Sequence, residues 1–128
     1  MTTKKITIAG KEVNLAYCYA TERGYKLLSD EDINVYTAEA LDLLKQKTMP
    51  DTRKTIYALI AAINAYSEWK GEQPAITDRD LMYDATPLEI GTALGTFLRL
   101  RADFYKIPEG EPKDEQPEGK KNDSEKNV

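Results

Sequence analysis

The sequence DTRKTIYALIAAINAYSEW, residues 51 to 69, is the stretch that decides the fold. Its large apolar residues recur at intervals of three and four, which places them on one face of an α-helix. Those residues are Ile56, Leu59, Ile60, Ile63, Tyr66 and Trp69. Asp51 can cap the first exposed amides, and Gly71 suits the exit of the chain from the helix. We therefore predict a long central helix that packs on the core.

Two alternating segments near the start of the chain predict a β-hairpin. Residues 5 to 9 alternate with Ile6 and Ile8 on one face, and residues 13 to 19 alternate again. The expected inner face of the second strand is Val13, Leu15, Tyr17 and Tyr19. Gly10 supplies the positive φ that a tight turn at residues 9 to 11 needs. Because a two-stranded sheet is marginal in water, the hairpin should pack on helices.

Three shorter helices are predicted around the central one. The first is capped by Thr21 and runs through Leu28, and the second covers residues 38 to 45 after Thr37. The third is a short helix that opens at Thr77 in the style of a capping box. The side chains expected to face inward from the second and third are Leu41, Leu44, Leu81 and Met82.

The last helix has the clearest start signal. Thr86 can cap, Pro87 occupies the first helical position and Glu89 the third, so we predict a helix from Pro87 to about Lys106. Two interior glycines, Gly91 and Gly95, lie one turn apart and each costs about 1 kcal/mol relative to alanine. We expect them to pack closely, antiparallel, against small residues of the central helix, namely Ala58, Ala61, Ala62 and Ala65. The alternative is that this glycine face is open to a partner.

Together these elements predict an α+β fold, an N-terminal β-hairpin on a bundle of four to five helices. Residues 1 to 108 form the single predicted domain. Residues 109 to 128 hold one aliphatic residue among many charged ones, so we expect a disordered acidic tail.

Charge argues against nucleic acid as a partner. The tail has seven acidic residues against four lysines and accounts for −3 of the net charge of −4, which leaves −1 on residues 1 to 108. Binding to phosphates requires a strong basic excess that this chain lacks. No run approaches the roughly 18 apolar residues of a membrane span, and no secretory signal core follows Met1. We expect a cytoplasmic protein without a membrane partner.

No residue pattern points to catalysis or to a metal. The chain has no histidine and one cysteine, Cys18, so the usual nucleophile and base pairs are absent and Cys18 is expected to be a buried structural thiol. Asp78, Asp80 and Asp84 lack the glycine and terminal glutamate of a calcium loop, and we interpret them as helix-start and surface acids. We predict no enzyme activity, no cofactor and no metal.

Tyrosine is unusually frequent, with eight tyrosines against two phenylalanines. Tyrosine and tryptophan are favoured at interfaces because they bury area while keeping a polar group. Each tyrosine taken singly fits the edge of a core as well as it fits an interface. As a set they favour a protein that binds protein.

The order of these parts resembles the tail assembly chaperones of long-tailed bacteriophages and prophages. The opening KITIAGKEV, residues 5 to 13, is similar to the ITINGKEY start of that family. Residues 84 to 90, DATPLEI, resemble its D-x-T-P-x-E-I helix start, and the alanine-rich helix and the acidic tail are similar too. The likeness covers about residues 4 to 107.

The resemblance implies a non-enzymatic role in the host cell. Such chaperones bind the long, apolar, helical tape measure protein, keep it soluble, self-associate along it and are absent from the finished virion. The side chains we expect to contact the tape measure protein or another copy are Tyr57, Tyr66, Trp69, Phe97, Phe104 and Tyr105. Many genes of this family also yield a longer product by ribosomal slippage, and Lys121-Asn122 and Lys126-Asn127 are pairs whose codons can form a slippery site. The competing hypothesis is a small cytoplasmic adaptor that binds another partner.

Overall fold

The computed structural model describes residues 1 to 106 and confirms the predicted α+β class, a hairpin on five helices. The two strands are β1 (Thr2–Ile8) and β2 (Lys11–Tyr17). The helices are α1 (Tyr19–Ser29), α2 (Ile33–Lys45), α3 (Thr52–Lys70), α4 (Asp78–Asp84) and α5 (Pro87–Tyr105). The predicted acidic tail, residues 109 to 128, lies outside the described residues.

The hairpin forms as its sequence predicts. β1 and β2 pair antiparallel with Ile8 opposite Lys11, and the two turn residues, Ala9 and Gly10, both have positive φ. A two-residue turn of that kind matches the right-handed twist of the strands. The inner face buries Leu15 and Tyr17 completely. Tyr19 does not belong to that face as predicted, because β2 ends at Tyr17 and Tyr19 opens α1 with 72% of its surface exposed.

Thr21 ties β2 to α1, although it is not the cap that we predicted. α1 begins three residues earlier than predicted, at Tyr19, with Cys18 at the N-cap. The buried Thr21 hydroxyl donates to the Ala16 carbonyl at 2.7 Å and accepts from the Cys18 amide at 3.2 Å. These bonds satisfy polar groups that the change from strand to helix would leave unpaired. Cys18 is partly exposed, so the prediction of a buried thiol is also wrong.

The central helix is α3, and its predicted ends are confirmed. Asp51 caps it by accepting from the Lys54 amide at 2.9 Å, and Gly71 ends it in the left-handed conformation. α1 lies antiparallel to α3, since Arg23 of α1 reaches Glu68 near the end of α3 while Glu31, just after α1, reaches Lys54 near its start.

α2 differs from its prediction in where it starts and in which side faces inward. It begins at Ile33, capped by Asp32, four residues before Thr37. Its buried side chains are Ile33, Tyr36, Thr37 and Ala40, whereas Leu41 and Leu44 are 43% and 38% exposed. No buried residue follows Ala40 in the helix, so its C-terminal part extends past the core.

The capping boxes of α4 and α5 are confirmed. The carboxylates of Asp80 and Glu89 accept hydrogen bonds from the amides of the capping threonines, Thr77 and Thr86. Leu81 is buried as predicted, but Met82 is 46% exposed because the seven-residue α4 has room for only one buried side.

The predicted close packing of Gly91 and Gly95 on α3 is wrong. A Cβ at Gly91 would meet nothing within 4 Å, and one at Gly95 would meet only the Arg99 side chain. Gly24 of α1 makes the close approach instead, because a Cβ there would lie 3.3 Å from the Cβ of Ala61. The alanine face of α3 therefore receives α1, and the alternative of an open glycine face on α5 fits the structure.

Candidate protein-binding groove

An open groove of about 370 Å³ runs between α1 and α3. Its sides come from the two helices, and Glu72 and Pro74, which follow α3, also line it. The residues lining it that carry the argument below are Ala20, Gly24, Leu27, Leu28, Ala61 and Ala65.

The floor of the groove is made of small residues. Gly24 packs directly on Ala61, which lets the two helix backbones come close, and Ala20 and Ala65 extend this surface along the helices. None of these side chains fills the space above it. The result is a shallow apolar channel at the line where α1 meets α3.

Two leucines of α1 edge the channel. Leu27 is 78% exposed and Leu28 is 39% exposed. Full burial of a leucine side chain is more favourable than exposure to water by about 1.5–3 kcal/mol of free energy. A partner that covers these two leucines and the small residues beside them therefore gains binding free energy.

One ion pair spans the channel. Arg23 of α1 and Glu68 of α3 lie 2.9 Å apart, with side chains that are 62% and 66% exposed. An exposed pair of this kind stabilises by at most about 1 kcal/mol, so it can separate to admit a partner. It can also contact polar residues at the edge of a bound segment.

The groove has the length of a short helical contact. Residues 20 to 28 of α1 span roughly 12 Å at 1.5 Å per residue, a little over two helical turns. A helix laid in such a groove presents apolar residues at i, i+3 or i+4, and i+7. The groove can hold an apolar helical face, and the charged side chains that line it are Arg23, Glu68 and Glu72. Within residues 1 to 106 no group of three His, Cys, Asp or Glu side chains is arranged to hold a metal.

Three of the six residues predicted to bind protein lie on α3, outside the groove. Tyr66 and Trp69 form a pair with ring centroids 5.9 Å apart near the end of the helix, and Trp69 is 55% exposed. The Lys70 ammonium lies 4.7 Å from the Trp69 ring centroid. Tyr57 is half-buried against the core, and its hydroxyl accepts from Arg53 Nε at 3.1 Å.

The other three predicted residues surround Tyr17. The ring centroids of Phe97, Phe104 and Tyr105 lie 5.4, 5.5 and 6.2 Å from that of Tyr17. Phe97 is fully buried, so it belongs to the core and presents no surface to a partner. Phe104 is half-buried and Tyr105 is 39% exposed, so these two remain accessible at the margin.

Glu22 of α1 forms hydrogen bonds with two tyrosines of this aromatic cluster. Its carboxylate accepts hydrogen bonds from the hydroxyls of Tyr17, at 2.9 Å, and of Tyr105. Burial, with the hydrogen bond to Glu22, raises the pKa of Tyr17 well above its usual value. The hydrogen bond from Tyr105 to Glu22, with some burial, raises the pKa of Tyr105 to about 12. Both tyrosines are therefore neutral donors at physiological pH and join α5 and β2 to α1.

The groove was not predicted from the sequence, although two features of the α1 sequence pointed to it. Leu27 and Leu28 are adjacent in a helix and lie about 100° apart around its axis, so a short helix that packs one face on the core does not bury both. Gly24 precedes them in the same helix and faces an alanine-rich partner helix. From the sequence, the alanines of α3 were instead expected to pack on the glycines of α5.

Comparison of the chain with protein-family models, with curated proteins and with solved structures finds no match in any of the three. Among residues 1 to 106, no helix is both long enough and apolar enough to span a membrane.

Proposed function

We propose that this chain is a phage or prophage tail assembly chaperone that binds an apolar helical segment of the tape measure protein and keeps it soluble. The α1–α3 groove is the observation that carries the binding part of this proposal. Its small-residue floor and the exposed Leu27 suit an apolar helix better than an extended peptide or a small polar ligand. The resemblance of residues 4 to 107 to that chaperone family supports the tape measure protein as the partner.

Self-association along the tape measure protein is part of the proposal. The exposed Trp69 and the margin formed by Phe104 and Tyr105 lie outside the groove, so a copy bound through the groove still presents aromatic surface to a neighbour. Tyr19, which is 72% exposed and has its ring centroid 5.1 Å from that of Phe104, extends this margin. These residues are the proposed self-contacts, and Phe97 is no longer among them.

The second candidate is a cytoplasmic adaptor that binds one partner with fixed stoichiometry. The same groove would serve it, so the surface does not separate the two. Oligomer size does: a chaperone that coats a long helix forms rings, spirals or a range of sizes, and an adaptor is a monomer or dimer. Analytical ultracentrifugation over a concentration series distinguishes them.

The nucleotide sequence after the stop codon tests the chaperone proposal at the level of the gene. We expect a slippery heptamer at the codons of Lys121-Asn122 or Lys126-Asn127, a −1 frame extension and then a very long helical reading frame. A plain stop followed by unrelated metabolic genes would contradict the proposal and leave the adaptor.

A further inference from the structure

The outer edge of β1 has backbone groups that lack partners within the described residues. Because a two-residue turn joins the strands, Ile8, Ile6, Lys4 and Thr2 exchange their hydrogen bonds with β2. The amides and carbonyls of the alternate residues, Thr3, Lys5 and Thr7, therefore point away from β2. Among residues 1 to 106 no hydrogen bond reaches them. The other edge of the sheet differs, since its Ala16 carbonyl accepts from the Thr21 hydroxyl.

A second groove lies beside this open edge. It has a volume of about 420 Å³, and residues 1 to 4 of the hairpin face Arg99, Leu100 and Asp103 of α5 across it. A strand added to β1 places alternate side chains on each face of the sheet. The groove gives room for those that point toward α5.

The charge along this edge is positive. Lys4, Lys5 and Arg99 are exposed, and in the described part of the chain no carboxylate lies within 4.0 Å of their charged nitrogens. Among residues 1 to 106, Asp103 is the single acidic residue that lines the groove. Lys4 and Lys5 are adjacent in a strand, so their side chains leave opposite faces of the sheet. Acidic side chains on both faces of an added strand would meet a lysine.

A second copy of β1 does not suit this edge. Pairing two β1 strands antiparallel over their full length places Lys5 of one copy opposite Lys5 of the other, and like charges opposite each other are destabilising. Lysines on edge strands generally act against such pairing.

The C-terminal sequence of this chain does not suit the edge either. Prolines 108, 112 and 117 have no amide donor and leave at most four consecutive residues between them, fewer than the five from Thr3 to Thr7. Residues 118 to 128 have no proline, but their three acids are balanced by three lysines.

We propose that the β1 edge binds an extended acidic segment of another protein, which adds to the hairpin as a third strand. Backbone hydrogen bonds to Thr3, Lys5 and Thr7 hold the segment, and Lys4, Lys5 and Arg99 select its acidic side chains. This site shares no residue with the α1–α3 groove and does not depend on what that groove binds.

The test is an NMR titration of the full chain with the synthetic peptide Ac-TVEETVT-NH2. We expect amide shifts and slowed hydrogen exchange at Thr3, Lys5 and Thr7. Two control peptides separate the effect of charge from the effect of backbone hydrogen bonds. Ac-TVKKTVT-NH2 keeps the β-propensity and reverses the charge, and an N-methylated form of the acidic peptide keeps the charge and removes donors on one edge.

Variants of the protein test the same contacts from the other side. Thr7→Pro removes an outward amide without touching the ladder to β2 or either lysine, and we expect it to weaken binding of the acidic peptide. Lys4→Glu with Lys5→Glu should weaken it by about tenfold, the effect of two exposed charge pairs. The control, Lys45→Glu with Lys70→Glu, makes the same change in net charge elsewhere and should bind as the wild type does.

Three results would overturn the proposal. One is an absence of shifts at the three amides, another is equal binding of the acidic and the control peptides, and the third is concentration-dependent protection of these amides in the protein alone, which would assign the edge to a second copy. The amide spectrum of each variant shows whether it is folded, and the peptide pairs test the site without any variant.

Discussion

Tyr17 ends β2, and its ring packs among Phe97, Phe104 and Tyr105 while its hydroxyl donates to Glu22. This single side chain therefore joins the hairpin to α5 and α1. A phenylalanine would keep the ring contacts and lose the hydrogen bond. Because the pKa of Tyr17 is raised in the folded protein, the hydroxyl also links stability to pH.

We expect Tyr17→Phe to lower the free energy of unfolding by about 1–2 kcal/mol at pH 7 through loss of a hydrogen bond to a charged acceptor. Above a pH of about 10 the unfolded state loses the tyrosine proton while the folded state keeps it, so the wild type loses stability by up to about 1.4 kcal/mol per pH unit for this group. The variant lacks this loss. Its stability should therefore converge with that of the wild type above pH 11.

Urea unfolding at pH 7, 9, 10 and 11 measures both effects. Tyr83→Phe, at an exposed tyrosine, is the control for removal of a hydroxyl. If the curves for the wild type and Tyr17→Phe fell in parallel from pH 9 to pH 11, the inferred rise in the pKa of Tyr17 would be wrong.

At the scale of elements, the contact between Gly24 and Ala61 sets how closely α1 lies on α3. Gly91→Ala should stabilise the protein by about 0.5–1 kcal/mol, because its new Cβ meets nothing and the helix gains propensity. Gly24→Ala should gain less, since its Cβ would press on Ala61. Gly24→Val should cost about 1–3 kcal/mol by overpacking.

The midpoint of chemical denaturation ranks these variants, with Gly91→Val as the matched control for the cost of valine in a helix. The inferred close approach of α1 and α3 would be refuted if Gly24→Val were as stable as Gly91→Val.

The same elements show what the sequence could predict. Helix ends were predictable where the capping side chain is local, as at Asp51, Thr77 and Thr86, because the cap bonds to amides two or three residues away. The facing of Leu41 and Leu44 was not predictable, since their burial depends on where the neighbouring elements stop. For the same reason the sequence could not choose between Gly24 and Gly91 as the glycine that meets Ala61.

The same contrast between local and non-local structure explains the outcome for the predicted binding residues. Aromatic composition led to Phe104 and Tyr105, which the structure does place at an accessible margin. It also led to Phe97, which packs under Tyr17 because the last helix crosses the hairpin there. The α1–α3 groove depends on how two helices meet, a property that neither helix shows alone.

At the scale of the whole molecule, two surfaces differ in their chemistry. The α1–α3 groove lies between two helices, with small apolar residues at its floor and charged residues at its sides, whereas the β1 edge is basic and offers backbone hydrogen bonds. A protein with both can hold a helix of one chain and an extended segment of another. The central claim is that the groove holds the helical partner.

Co-expression with the tape measure protein that the proposal expects to be encoded near this gene tests that claim most directly, using Leu27→Glu and Leu88→Glu. Leu27 and Leu88 are 78% and 80% exposed and both lie in helices, but only Leu27 lines the groove. We predict that the wild type and Leu88→Glu keep the tape measure protein in the soluble fraction and co-purify with it. Leu27→Glu should bind about tenfold more weakly or worse, since it replaces a leucine buried on binding. Equal recovery with Leu27→Glu and with the wild type, when the amide spectrum shows Leu27→Glu to be folded, would contradict the account.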